Sequence, residues 1–215
     1  MTAAESGTAV IVFARAPRPG LVKTRLIPLL GAEGAAALHA RLVKRTLDTL
    51  RAASYERVQL YCAPDTSDPF FPFCAGHYGV TLEPQVAGDL GARMLGAFES
   101  ALAAHARVLL IGADCPALTA RHLRQAEQAL REGLDAVFVP CEDGGYALIG
   151  LRQAEARIFD GIEWGRDQVM AATRDRMEDL GWRWRELETL WDIDRPQDYA
   201  RLVESGLLEN ERASA

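Results

Sequence analysis

The sequence predicts an α/β fold, a three-layer α/β/α Rossmann-like arrangement on a mostly parallel, mixed sheet. Short aliphatic and β-branched runs recur along the chain (TAVIVFA, 8–14; RVQLYCA, 57–63; RVLLIGAD, 107–114), and runs without polar alternation suit strands buried on both faces. Between them lie segments with leucines and alanines at helical spacing, and glycine and proline mark the junctions. Strands alternating with helices imply crossovers and hence parallel pairing. DAVFVP (135–140) and YALIGL (146–151) stand too close for a crossover, which predicts some antiparallel pairing.

The first strand, 8–14, leads into the loop FARAPRPGLVKTRL (13–26). A helix is expected over 33–52, with Leu38, Leu42, Leu47 and Leu50 near one face. RVQLYCA reads as the second strand, DPFFPF (68–73) as a proline-broken aromatic loop, VTLEPQ (80–85) as a third strand and GDLGARMLGAFESALAAH (88–105) as a glycine-opened helix. RVLLIGAD is the clearest strand; Pro116 and Thr119 then prepare a helix that stops at Gly133. DAVFVP and YALIGL flank the turn CEDGG. The remainder predicts a helix near 167–180, a strand in RWRELETL (183–190), a last helix from Arg195 to about Glu204, and a frayed end in LLENERASA.

A chain of 215 residues without an internal repeat or linker fits one domain, with its core at about 8–204. Its net charge of −6 argues against a protein that coats nucleic acid or an anionic membrane. Cys62, Cys74, Cys115 and Cys141 form no C-x-x-C pair, the histidines show no H-x-x-x-H spacing, and no signal-peptide pattern opens the chain. No continuous apolar run approaches the ~20 residues that span a bilayer. A reduced, cytoplasmic setting is expected, with neither nucleic acid nor membrane as partner.

Against that acidic background, Arg15, Arg18, Lys23 and Arg25 crowd one loop together with Gly20 and Thr24. Ligands of open α/β sheets bind beyond the carboxyl ends of the strands, where this loop lies. Val22 stands where a Walker A loop needs glycine, so the motif is a different one. A glycine, a point-charge lysine and forked guanidinium groups suit a di- or triphosphate; a solvated basic loop is the plain alternative. Asp114 ends the central strand, where a carboxylate facing a polyphosphate meets the needs of Mg²⁺, which takes few protein oxygens; capping the turn before Thr119 is its other possible role. In WDIDRPQDYARL (191–202), Asp194 could cap the last helix or bind metal, whereas Asp192 has no capping role and is the better second ligand. PCEDGGYALIG (140–150) is a hairpin signal that also places Asp143, Gly144, Gly145 and Tyr146 at a strand's end, near a second substrate. GDLGARM (88–94) opens a helix with Gly88, Asp89, Gly91 and Arg93, suited to a base edge or a phosphate.

Taken in order, FARAPRPGLVKTRL, GDLGARM, GADCPALT, DGGYALIGL and DIDRPQD resemble the GT-A-like nucleotide-diphospho-sugar transferase superfamily, and more narrowly the bacterial DUF2064 family, over about residues 8–204. The resemblance implies a nucleotide at the carboxyl edge of the sheet, with Gly20, Lys23 and Arg25 meeting phosphates, Asp114 the metal, Gly88 to Arg93 the base side, and Asp192 or Asp194 further metal contacts. It implies an Mg²⁺- or Mn²⁺-dependent transferase that moves a sugar from a nucleotide sugar to a small acceptor. The basic loop also looks like that of phospholactate guanylyltransferases, so nucleotidyl transfer from an NTP, releasing pyrophosphate, is the alternative; a nucleotide-binding protein without catalysis is a third. The catalytic candidates are Lys23, Asp114 and Asp143, with Asp192 a second candidate for general base.

Overall fold

The computed structural model describes residues 5–208. Its strands are β1 (Glu5–Arg15), β2 (Val58–Ala63), β3 (Thr81–Pro84), β4 (His105–Gly112), β5 (Ala136–Pro140), β6 (Tyr146–Leu151) and β7 (Trp184–Glu186), and its helices are α1 (Ile27–Ala52), α2 (Phe70–Tyr78), α3 (Leu90–Leu102), α4 (Ala120–Arg131), α5 (Val169–Leu180) and α6 (Pro196–Ser205). One seven-stranded sheet runs in the order β3-β2-β1-β4-β6-β5-β7. Only β6 is antiparallel to its neighbours, because the short hairpin from β5 leaves no room for a crossover.

Alternation along β1 divides the core. Val10 and Val12 pack with Val43 and Leu47 of α1, Phe71 of α2 and Leu123 of α4, while Ala9 and Ile11 pack with Met94 and Phe98 of α3 and Met177 of α5. Two helical layers thus sandwich the sheet, which gives the three layers expected. Gly150 of β6 shows how tightly the middle layer is filled: an added Cβ would stand 2.6 Å from Leu109 Cδ2 and 2.7 Å from Val137 Cγ1. Gly150→Ala is expected to cost about 1–3 kcal/mol through overpacking, read as a lower urea midpoint with an unchanged slope.

Several expectations need correction. The first long helix starts before residue 33, because Pro28 suits an opening turn and Gly31 (φ 71, ψ 167) then kinks the helix. DPFFPF is largely not a loop: Pro69 is the N-cap of α2 and Pro72 lies in its first turn, where no intrahelical acceptor awaits an N–H. The stretch Thr24–Ala52 is, by length and composition, apolar enough to cross a bilayer, since alanines sustain its hydropathy between the charges; Leu38, Leu42, Val43, Leu47 and Leu50 are nevertheless buried in this fold. At the far end, Leu208 is 6% exposed and packs with Leu26, Leu42, Ile193 and Leu202, while the rest of the tail that reads as frayed, 209–215, lies outside the described residues.

Only Trp184–Glu186 of the segment 183–190 forms a strand, with Leu190 bridging to Cys141 farther along. Asp194 does not cap α6. Arg195 holds the N-cap position, and Asp198 Oδ2 accepts from the N–H groups of Asp194 (3.0 Å) and Arg195 (2.6 Å), leaving the Asp194 side chain free for another partner.

Candidate active site

The carboxyl ends of β1 and β4, which are parallel neighbours, bring Arg15 and Asp114 to the same edge of the sheet. Two cavities open there. One, of about 450 Å³, is lined by Arg15, Arg18, Leu21, Gln85, Val86 and Arg93 among others, without a carboxylate. The other, of about 250 Å³, carries Asp114, Asp143 and Asp192 with Tyr146, Trp164 and Arg166.

Lys23 and Asp114 meet. Lys23 has a left-handed backbone (φ 47, ψ 40), a costly state for a side-chain-bearing residue that persists only where its surroundings fix it. It turns the ammonium inward, to Asp114 Oδ1 at 2.8 Å and the carbonyl of Ile193. The Lys23 side chain is 5% exposed and that of Asp114 51%, so the lysine is the buried member and the carboxylate the open one. Burial opposes ionisation of Asp114, but Lys23 and His39 outweigh it and hold the carboxyl below its usual range. The backbone N–H of Ile193 donates to the Asp114 carbonyl at 2.9 Å, which ties the segment bearing Asp192 and Asp194 to the end of β4.

The crowded cations have acids brought to them from distant segments. Arg18 Nε donates to Asp68 Oδ2 at 2.9 Å, Lys23 pairs with Asp114 and Arg25 with Asp194. Arg15 is exposed and lines the first cavity. Gly20 (φ 80) and Thr24 are exposed but line neither cavity. Asp194, pointed at Arg25, is therefore removed from the carboxylates of the second cavity. Among the described residues no three of His, Cys, Asp and Glu stand together as a ready metal-ligand set.

The helix opening divides similarly. Arg93 reaches the first cavity, its Nε donating to the Gly88 carbonyl at 3.0 Å. Asp89 instead caps α3, accepting from the Ala92 N–H at 2.8 Å. Gly91 is buried against Trp164, whose Nε1 would lie 2.8 Å from an added Cβ, so its smallness seats the indole rather than a base. Gln85 donates from Nε2 to the carbonyls of Tyr61 (2.9 Å) and Ala14 (3.4 Å), which leaves Oε1 as its spare acceptor.

At the second cavity Asp143 Oδ1 accepts from the Gly145 N–H at 2.9 Å and orders the turn. Gly144 (φ 87) presses on the next segment so closely that a Cβ would fall 1.9 Å from the Asp167 carbonyl oxygen, and its own carbonyl accepts from Met170 at 2.8 Å. That contact fixes the turn against the start of α5. Tyr146 presents its ring rather than a free hydroxyl, which lies 4.0 Å from Met94 Sδ. Burial, with Asp143 and Asp114 nearby, pushes Asp192 up to about 6 against the pull of Lys23. Cys115 and Cys141 line the same cavity and are buried; the hydrogen bond with Cys115, then burial, raises the Cys141 thiol far above its ordinary value, so it stays protonated.

His39, Gln85 and Trp164 were not candidates from the sequence. His39 of α1 is 7% exposed in its side chain, with Nε2 3.1 Å from the Arg15 carbonyl and Nδ1 3.8 Å from Asp114 Oδ1. Burial holds its imidazole below the ordinary value despite Asp114. A histidine beside Leu38 within the leucine pattern was the available signal.

A family model described as an uncharacterized protein conserved in bacteria (DUF2064) matches residues 46–166. No curated protein matches the chain. The crystal structure of a provisionally named nucleotide-diphospho-sugar transferase from Desulfovibrio desulfuricans G20 superposes with a TM-score of 0.84 at 29% identity, over 97% of this chain and 96% of that one. A cytidylyltransferase from Leptospira borgpetersenii aligns at 0.61 and 15% identity over 92% and 85%. Glucosyl-3-phosphoglycerate synthase from Mycobacterium tuberculosis, in complex with Mn²⁺, UDP and glucosyl-3-phosphoglycerate, aligns at 0.55 and 11% over 95% and 78%. This chain has the fold they share.

Proposed function

Because the chain belongs to the DUF2064 family and has the nucleotide-diphospho-sugar transferase fold, we propose that it is a metal-dependent transferase that moves a sugar from a nucleotide-diphosphate sugar to a small acceptor. The observation that carries this reading is the Lys23–Asp114 bond, 2.8 Å long, which joins the loop whose Arg15 and Arg18 line the cationic cavity to a carboxylate of the acidic one. A donor that places its nucleotide among Arg15, Arg18 and Arg93 would bring its diphosphate toward Lys23 and Asp114 and its sugar toward Asp143.

The acidic cavity suits a divalent cation. Its carboxylates face one buried ammonium, and burial first, then the neighbouring Asp143 and Asp114, hold Asp192 above its ordinary value. Asp114 and Asp192 would hold Mg²⁺ or Mn²⁺, with phosphate and water completing the shell; when bound, the ion supplies positive charge for the departing diphosphate. Arg15 and Arg93 bind and orient the nucleotide, Trp164 and Tyr146 form apolar walls that restrict water, and Asp143 accepts the proton of the acceptor hydroxyl. Arg15→Ala and Arg93→Ala are each expected to weaken nucleotide binding by about 10–100-fold, the worth of one charge-assisted bond, measured by calorimetric titration with the nucleoside diphosphate that raises the melting temperature most.

A second reading, nucleotidyl transfer from an NTP to a phosphorylated or acidic acceptor, draws on the same cavity, whose three arginines suit a triphosphate. A melting-temperature screen of NTPs and nucleotide sugars with and without Mg²⁺ identifies the donor, since a ligand of the folded state raises stability. Released nucleoside diphosphate then supports sugar transfer and released pyrophosphate the second reading. Nucleotide binding without turnover of any donor in the presence of diverse acceptors would overturn both in favour of a binding protein.

A further inference from the structure

Among the described residues the acidic cavity has a single basic side chain on its lining, Arg166, and that side chain is uncommitted. It is exposed at the cavity's mouth, and no hydrogen bond or ion pair within the described residues engages its guanidinium. Elsewhere Arg121, Arg174, Arg185 and Arg201 each meet a glutamate, whereas Arg166 shares a cavity with Asp114, Asp143 and Asp192 and pairs with none of them. The anchors of its loop account for this. On one side the Trp164 indole is seated on Gly91, where an added Cβ would stand 2.8 Å from Nε1; on the other the Asp167 backbone presses on Gly144, where a Cβ would fall 1.9 Å from its carbonyl oxygen. The chain is thus fixed on both sides of Arg166, and the second anchor ties it to the turn that bears Asp143. Asp143 spends Oδ1 on the Gly145 N–H at 2.9 Å, which leaves Oδ2 for a ligand. Lys23 secures Asp114, and a divalent cation in the proposed site would offset the other two carboxylates, so Arg166 is a positive charge in excess of what the cavity's own acids require.

We propose that Arg166 determines acceptor specificity: it binds an anionic group of the acceptor, which is a small hydroxy compound bearing a carboxylate or a phosphate, with its hydroxyl at Asp143 and its anion on the guanidinium. A forked guanidinium takes either group through two parallel hydrogen bonds. The cavity, of about 250 Å³, lies below the range of about 300–1,000 Å³ that holds drug-sized ligands, which keeps the acceptor small. The inference rests on the reading of the acidic cavity as the acceptor's side of the site, and it holds for sugar transfer and nucleotidyl transfer alike.

The test uses probes matched in shape and different in charge: glycolate against glycolamide, and glycerol phosphate against glycerol. Each is titrated calorimetrically into the intact protein in the presence of Mg²⁺ and the nucleoside diphosphate that raises the melting temperature most. The charged member of at least one pair should bind and its neutral counterpart should not; which pair responds tells carboxylate from phosphate. Arg166→Ala should weaken that binding by about 10–100-fold, the worth of a charge-assisted contact, and Arg166→Lys, which keeps the charge without the fork, should restore part of it. Nucleotide affinity should stay at the parent's value in both variants, with circular dichroism confirming that they fold. Neutral probes that bind as well as charged ones, no binding by either anion, anion binding unchanged in folded Arg166→Ala, or a loss of nucleotide affinity in place of anion affinity would each overturn the proposal. Release of neither nucleoside diphosphate nor pyrophosphate in turnover assays would overturn the transferase readings and leave a charge preference that depends on Arg166 standing, so the two failures are separable.

Discussion

Asp114→Asn is expected to lower turnover by about 10²–10³-fold, the range for loss of a group that stabilises developing charge, while nucleotide binding in the cationic cavity weakens far less. The reasoning begins with its position: Asp114 is the half-open member of a pair whose other member is buried, so its outer oxygen is available to a cation while Lys23 secures the inner one. Asparagine preserves the shape and removes the charge. It also leaves the Lys23 ammonium without its anion, at a cost of about 2 kcal/mol, below the range for a fully buried pair because Asp114 faces solvent on one side. Activity and stability should therefore separate: a melting temperature lower by several degrees, a nucleotide affinity reduced little, and a turnover nearly abolished. Turnover within a factor of a few of the parent's, in protein shown to be folded, would remove Asp114 from the chemistry and with it the proposed metal role.

The sheet was legible because strands buried on both faces write themselves as runs such as AVIV and VLLI, and the lone antiparallel strand because the short turn between Pro140 and Tyr146 cannot hold a crossover. Less legible were features that depend on who arrives from elsewhere. The cations of the first loop read as an invitation to phosphate, but Arg18, Lys23 and Arg25 meet Asp68, Asp114 and Asp194 respectively, and no local pattern reports acids 50 to 169 positions away. Lys23 and Asp114 were both expected at the carboxyl edge of the sheet, yet the sequence does not tell that they bond to each other or that the lysine is the buried partner. DPFFPF misled because proline breaks helices only past the first turn. His39 hid because a histidine on a leucine face is ordinary, and Asp89 and Gly91 misled because capping and close packing use the same residue types as ligand binding.

Asp192→Asn is expected to stabilise the metal-free protein at pH 8 and to destroy its activity. The folded value of Asp192 is about 6 against 3.8 for an unperturbed aspartate, so the folded state binds this proton more tightly than the unfolded one. Stability from this group is therefore present in full below about pH 3.8, falls as pH rises through the interval to about 6, and is level above it. The difference corresponds to about 3 kcal/mol at pH 8, and asparagine, which cannot ionise, escapes it. Melting curves of the two proteins should diverge between pH 4 and 7, with the variant more stable at the alkaline end. Adding Mg²⁺ or Mn²⁺ at pH 8 should close that gap from the parent's side, because the cation offsets the burial of the charged Asp192 and its repulsion by Asp143 and Asp114, both of which asparagine escapes. The carboxylate is thus retained at a cost in stability that a site without need of a cation would have shed. Parallel melting curves across that pH range, or an equal metal-induced shift in both proteins, would show that Asp192 neither carries the excess charge nor meets the ion.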